Sequence, residues 1–160
     1  MGESHDKSHD YDRDMHDDTR ATITSPATEA EILATWEVMH ELRPHLPRGS
    51  YVERVRALMA SDGFRLAAVV VDGQVQAVAG YRLVSLLHCG RALVVDDLVT
   101  SDSARSAGHG KRLLDWLKQR ARAEGCAELS LVSRVTRERA HRFYFREGLG
   151  IERFEFRIAI

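Results

Sequence analysis

The residues best suited to chemistry lie in one continuous stretch. Asp96-Asp97-Leu98-Val99-Thr100 closes an apolar run, and the small-residue turn Ser101-Asp102-Ser103-Ala104-Arg105-Ser106-Ala107 leads into Gly108-His109-Gly110-Lys111-Arg112. A helix pattern begins at Gly108. The first backbone N–H groups of a helix have no intrahelical partner, and the helix dipole adds partial positive charge there. Glycines allow a ligand to come close to the main chain. Together these features make an anion site suited to a pyrophosphate. Lys111 and Arg112 add positive charge at the same end, where they oppose the dipole, so a bound anion is a natural compensation.

Three phosphate-loop patterns compete for this stretch. A Walker A loop, G-x-x-x-x-G-K-[ST], fails twice, because Arg105 replaces its first glycine and Arg112 its Ser/Thr. That counts against a kinase. A dinucleotide fingerprint, G-x-G-x-x-G, fails at Leu113 and is preceded by hairpins rather than an opening βαβ unit. The pattern R-x-x-G-x-G is met by Arg105, Gly108 and Gly110.

Asp96 and Asp97 are the carboxylates of interest just before the loop. A charge on an apolar central strand is costly unless it is paired or functional, so both are candidate bases or acceptor-binding groups. Their adjacency on a strand sends them to opposite faces, which leaves only one for a cleft. Glu37, His40 and Glu41 are weaker candidates in an earlier helix, and for them, as for His141, packing or solvation is the simpler role.

The elements that must position these groups follow from hydrophobic periodicity. A short strand, 21–24, is broken by Ser25-Pro26. A helix over 28–42, capped near Thr28, carries Ile32, Leu33, Trp36 and Met39 on one face and stops at Pro44 and Pro47. A second helix covers 51–61. The period then changes: 64–71 is an apolar run, Asp72-Gly73 is a turn, and Val75, Ala77, Ala79 and Tyr81 alternate, which reads as an antiparallel hairpin. Further strands are expected at 92–100 and 127–132, helices at 108–124 and 137–147, and a last strand where Phe154, Phe156 and Ile158 alternate with Arg153, Glu155 and Arg157. The order is β-α-α-β-β-β-α-β-α-β. It implies an α/β (α+β) fold with a mixed, mostly antiparallel central sheet and helices on both faces.

The chain has 160 residues, 44% of them hydrophobic, which suits one domain with one substantial core. Residues 1–20 hold seven acids and three bases and lack periodicity, so they read as a disordered acidic, histidine-rich tail before a domain at 21–160. His5, His9 and His16 match no structural metal-ligand spacing, and no metal is expected. Cys89 and Cys126 form no C-x-x-C pair, and Cys126 reads as a buried free thiol. A net charge of −1 gives no reason to expect nucleic acid as a partner. The absence of an apolar leader or of a run near 18 apolar residues points away from a membrane and to a cytoplasmic protein.

At the hexad the sequence resembles the GNAT superfamily of N-acetyltransferases. The resemblance runs on through Leu113-Leu114, Gly125-Cys126, Leu129-Ser130-Leu131 and Ala140-His141-Arg142-Phe143-Tyr144 with Gly148, and it spans roughly 21–158. It implies acetyl-CoA as cosubstrate and direct transfer of the acetyl group to an amine within a ternary complex. It further implies pantetheine contacts from the backbone of Leu98, Val99 and Thr100. Pyrophosphate contacts would come from the amides of Arg105, Ser106, Ala107, Gly108, His109, Gly110 and Lys111. Tyr144 would lie near the cofactor sulfur, where its phenol, protonated at neutral pH, would act as general acid. Many members carry asparagine where this chain has Arg137, which leaves the contacts of that asparagine unassigned. The acceptor, a small-molecule or a protein or peptide amine, has no readable motif. Homodimers are common in the family. The competing expectation is a non-catalytic acyl-CoA-binding or sensing module that has kept the loop.

Overall fold

A computed structural model describes residues 21–160; the expected tail lies outside them. Five strands form one sheet in the order β1-β2-β3-β4-β5. β1 (Thr22–Thr24), β2 (Arg65–Val71), β3 (Gln74–Leu86) and β4 (Gly90–Thr100) pair antiparallel, and β5 (Glu128–Leu131) joins β4 in parallel. The β2–β3 hairpin turns at Asp72-Gly73, both with positive φ (48° and 77°), as a tight two-residue turn requires. The expected mixed, mostly antiparallel sheet with helices is what the chain forms.

Each sheet face has its own core. On one, α4 (His109–Ala123) sets Leu113, Leu117 and Ala121 against Ala67, Val69, Ala79, Tyr81, Leu93 and Val95. On the other, α1 (Glu29–Ala34), α2 (Trp36–Leu42) and α3 (Arg48–Asp62) bury Ile32, Met39, Tyr51 and Val55 with Phe64, Leu66, Val78 and Val99. The α4 stripe repeats at three- and four-residue spacing, so one face of the helix can bury itself completely.

The first expected helix is two. Thr28 caps α1, and Glu31 completes a capping box by accepting from the backbone of Thr28. Thr35 then separates α1 from α2. Its hydroxyl, fully buried, donates to the Ile32 carbonyl (2.7 Å) and meets the Tyr51 hydroxyl (2.9 Å). A threonine that bonds back into the preceding turn competes with the regular ladder, and the helix is interrupted there.

The expected last strand does not form. After α5 (Glu138–Arg146), residues 151–160 have no regular structure and are exposed. Period-two alternation says which side chains would share a face, but a strand exists only with a hydrogen-bonding neighbour, and this segment has none in the sheet. Cys126 is half-buried rather than buried.

Candidate active site

The site begins with a fault in β4. Gly80 pairs with Asp97 and Tyr81 with Val95, so Asp96 is an extra residue in a β-bulge. The bulge shifts the alternation of side chains. Leu93, Val95 and Leu98 pack on the α4 side, whereas Val99 packs with α1–α3. The expectation that Asp96 and Asp97 face opposite ways is therefore overturned. Asp96 receives two bonds from Arg82 (2.6 and 2.7 Å), whose neighbours Tyr81 and Leu83 point to the α4 side. Asp97 lies on that same far side, accepting from Arg43 Nε (2.8 Å) just beyond α2.

Asp97 is the more buried of the two, with its side chain 14% exposed against 25% for Asp96. Burial raises the pKa of Asp97, opposed by the hydrogen bond and charge of Arg43, while the neighbouring Asp96 pushes it further up. Gly80 makes room for this carboxylate: a Cβ there would lie 2.4 Å from Phe64 Cζ and 2.9 Å from Asp97 Oδ2. Phe64 and the Asp97 carboxylate thus both crowd the space over Gly80. Arg43 and Arg82 were not singled out from the sequence. An arginine 14 residues before Asp96 on a β-hairpin is the only such signal, and it needs the register to be read.

Beyond the bulge, β4 parts from β5. The parallel pairing covers only Ala92 to Val95, opposite Glu128 to Leu131. From Asp96 to Thr100, among the described residues, β4 has no strand on that edge, so the backbone of Leu98, Val99 and Thr100 borders a gap. The N-terminus of α4 closes one end of it. A Cβ on Gly110 would lie 3.0 Å from Thr100 Oγ1 and 3.7 Å from Phe143 Cζ, so strand end, loop and α5 meet at this glycine.

The loop itself is exposed from Arg105 to Gly108. Ser106 and Gly108 both have positive φ (72° and 81°), and Gly108 is the N-cap of α4 with open space where a side chain would be. The loop bonds run from Ala104 N–H to Ser101, Ala107 N–H to Ala104 and Arg112 N–H to Gly108. Among the described residues, the amides of Gly108, His109, Gly110 and Lys111 make no backbone bond, and no side chain caps them. These are the donors a pyrophosphate needs, so the residues present fit such a group. The cationic side chains point elsewhere. Lys111 pairs with Asp115 (2.5 Å) and Glu147 (3.7 Å), Arg105 with Asp102, and Arg112 donates to the Ala21 carbonyl. Both side chains are thus tied within the fold at the start of α4.

Glu41 on α2 holds the start of the loop, accepting from Asp102 N–H (2.9 Å) and Ser101 Oγ (3.2 Å). Its carboxylate thus braces the loop. His40 stacks on Trp36 and sits 3.2 Å from the Leu46 carbonyl. Glu37 is exposed beside Arg48. His141 bonds Ser133, which ties α5 to the loop before it.

Tyr144 is on α5, in edge contact with Phe143, whose ring touches the Gly110 position. Burial raises its pKa, with Arg137 pulling the other way. The phenol therefore stays protonated at neutral pH. Lys118 donates to the Glu147 carbonyl (2.7 Å) and so fixes the end of α5 against α4. At the opposite end of β4, His88, Cys89 and Glu128 bring ligand atoms within 4.8 Å of one another, a grouping not visible in the sequence.

The β4–β5 pair thus splits beside the open N-terminus of α4, and the ring of Phe143, next to Tyr144 on α5, reaches the same glycine. The model of the Acetyltransferase (GNAT) family matches residues 30–151, and the chain belongs to that family. It is 35% identical over 136 residues to the uncharacterized N-acetyltransferase YhdJ of Bacillus subtilis (strain 168), covering 84% of this chain and 94% of that one. A shorter stretch of 66 residues, 41% of this chain and 43% of the relative, is 35% identical to an aminoalkylphosphonate N-acetyltransferase of Salmonella typhimurium. Among solved structures, the aminoglycoside N-acetyltransferase AAC(6')-Iy in complex with CoA shares the fold, with a TM-score of 0.77 at 14% identity, covering 91% of this chain and 98% of that chain. Among the described residues, no helix is long and apolar enough to cross a membrane.

Proposed function

We propose that this chain transfers an acetyl group from acetyl-CoA directly to an amine held in the same cleft. The observation that carries the reading is the split between β4 and β5 beside the unbonded amides of the α4 N-terminus. The backbone edge at Leu98, Val99 and Thr100 would bind the pantetheine arm, and the amides of residues 105–111 the pyrophosphate. The thioester supplies an activated acyl group and a thiolate leaving group.

The residues around it have three tasks. Asp97, poorly solvated and raised in pKa, would accept the proton of the incoming ammonium, whose pKa of about 10.4 keeps it protonated in water. Asp96 shares its face but is held twice by Arg82, which suits it to orienting the acceptor rather than to proton transfer. Tyr144 would donate its phenolic proton to the departing sulfur. Holding both reactants in one cleft supplies much of the acceleration, and no cysteine nucleophile is needed. Cys89 and Cys126 are free thiols, consistent with the cytoplasm as the compartment of action.

The acceptor is a small-molecule or a protein or peptide amine. The test is release of free thiol from acetyl-CoA across a panel of both kinds. Turnover with at least one acceptor is expected. Tight acetyl-CoA binding without turnover across the whole panel would replace this reading with that of a CoA-sensing module.

A further inference from the structure

Three metal-ligating side chains converge at the end of β4 farthest from the glycine loop. His88 and Cys89 stand in the turn that joins β3 to β4, and Glu128 opens β5. A ring nitrogen of His88, the sulfur of Cys89 and a carboxylate oxygen of Glu128 all lie within 4.8 Å of one another. Among the described residues this is the one grouping of three such side chains. The length of β4, about 30 Å of extended chain, separates it from Thr100, so it takes no part in the acetyl-transfer site.

The backbone sets these three groups in place before any ligand arrives. Leu86 pairs with Gly90 across the turn, and Ala92 pairs with Glu128 in the parallel ladder. Ala127 N–H donates to the Arg91 carbonyl (2.8 Å), which fixes the start of β5 against β4. Successive residues of a strand point to opposite faces. His88 and Cys89 share a target because they occupy a turn, which Gly90 closes with a φ of 78°. His88 Nε2 is 3.7 Å from Glu128 Oε1. An ion pair between those two alone gives no reason for a thiol at the same point.

Ligand type and spacing select the metal. Imidazole nitrogen, thiolate and carboxylate form a zinc set, with bonds of about 2.0–2.3 Å. Tetrahedral bonds of that length hold the ligand atoms roughly 3.4–3.6 Å apart. The His88–Glu128 separation is already close to this, and His88 is half-exposed and free to rotate inward. Calcium and magnesium call for oxygen ligands, which His88 and Cys89 do not supply.

We propose that His88, Cys89 and Glu128 bind one Zn²⁺ ion, with water in the fourth position, and so clip the β3–β4 turn to the start of β5. The ion takes the place of the Cys89 thiol proton, which leaves to solvent. Thiolate and carboxylate together then neutralise the cation. Arg153 donates to both Glu128 oxygens (3.2 Å each). A carboxylate oxygen accepts more than one bond, so Oε1 can take the metal while Arg153 keeps the group oriented, as outer partners of metal-bound carboxylates do. Residue spacing carries no sign of this site, because the β4–β5 register brings the turn and Glu128 together.

The test is a zinc titration of the metal-free full chain against a chromophoric chelator. One equivalent should bind with a Kd of about 1 µM or tighter. His5, His9 and His16 are a competing source of affinity, so the titration is repeated in His5→Gln/His9→Gln/His16→Gln. The tight equivalent should remain there, and its loss would overturn the proposal. Cys89→Ser should weaken binding on the order of 100-fold, and His88→Gln or Glu128→Gln at least about tenfold. His88 and Cys89 lie in a turn outside both cores, so the metal-free melting of their variants should match that of the parent. Cobalt(II) gives a second readout, a thiolate-to-metal charge-transfer band in the near ultraviolet. The band should appear in the parent and in Cys126→Ser and vanish in Cys89→Ser. No tight equivalent in the parent, or a band that survives Cys89→Ser, sinks the site. Neither result bears on acetyl transfer, which is assayed separately by thiol release.

Discussion

The two edges of β4 have opposite fates. Toward β3 it is paired along its whole length, from Gly90 opposite Leu86 to Thr100 opposite Ala77, with one interruption at the bulge. Toward β5 it is paired for four residues and then released. The closed edge holds the strand, and the open edge leaves its peptide groups without a strand partner among the described residues. A strand paired on both sides would have no main-chain groups to offer, and one paired on neither would not hold them in place. The bulge belongs to the closed edge, and its extra residue at Asp96 puts both carboxylates on one side of the sheet.

The strongest way to break this arrangement is to crowd the closed edge. Gly80 faces the bulge, and valine there would place its Cβ 2.4 Å from the Phe64 ring and 2.9 Å from Asp97 Oδ2. Both neighbours are held, Phe64 in the core and Asp97 by Arg43, so neither can move cheaply. Gly80→Val should cost about 3 kcal/mol of stability, the upper range for overpacking, measurable by urea denaturation. A loss below about 1 kcal/mol would show that the bulge is more pliable than its packing suggests.

At the open edge the expected losses are catalytic. Tyr144→Phe removes a hydroxyl and keeps the ring that packs beside Phe143. It should lower kcat on the order of 100-fold with a nearly unchanged KM for acetyl-CoA. Equal turnover in the variant would remove Tyr144 as the acid. Gly108→Asp should act on affinity instead. The position has open space, so nothing clashes, although φ of 81° adds strain for any side chain. A carboxylate beside the α4 amides should weaken acetyl-CoA binding about tenfold, worth about 1.4 kcal/mol. Gly108→Asn, which shares the strain without the charge, separates the two effects by calorimetric titration.

Much of this arrangement was legible in the residues. The hairpin, α4 with its leucine stripe and the glycine loop before it are local patterns, and local patterns are written in periodicity and turn chemistry. The bulge was not legible. It arises from register between two strands, and Asp96-Asp97 reads as an ordinary adjacent pair until Gly80 and Tyr81 are set opposite it. The destinations of Lys111 and Arg112 were hidden for a similar reason: their partners Asp115, Glu147 and Ala21 are brought near by the helix and by tertiary packing. Residues 151–160 show the converse failure. Their pattern is local and plain, but among the described residues no strand pairs with them.

The finest test of the comparison is the protonation of Asp97. Burial raises its pKa and Arg43 lowers it, so the carboxylate is a compromise between the closed core and a charged neighbour. If Asp97 takes the acceptor's proton, kcat/KM should fall on the acid side, through a pKa above the ordinary aspartate value of about 3.9. Arg43→Gln removes the group that favours the charged form, so the acid limb should move to higher pH while the alkaline limb stays. Stability should move with the same sign. Because the folded-state pKa is raised, the ionised carboxylate disfavours folding at neutral pH, and stability should recover as pH falls through the folded pKa toward the unfolded value. Arg43→Gln should enlarge that recovery. An acid limb unmoved by Arg43→Gln would mean that a different group accepts the proton, and Asp96, beside Asp97 but held by Arg82, would be the next to test.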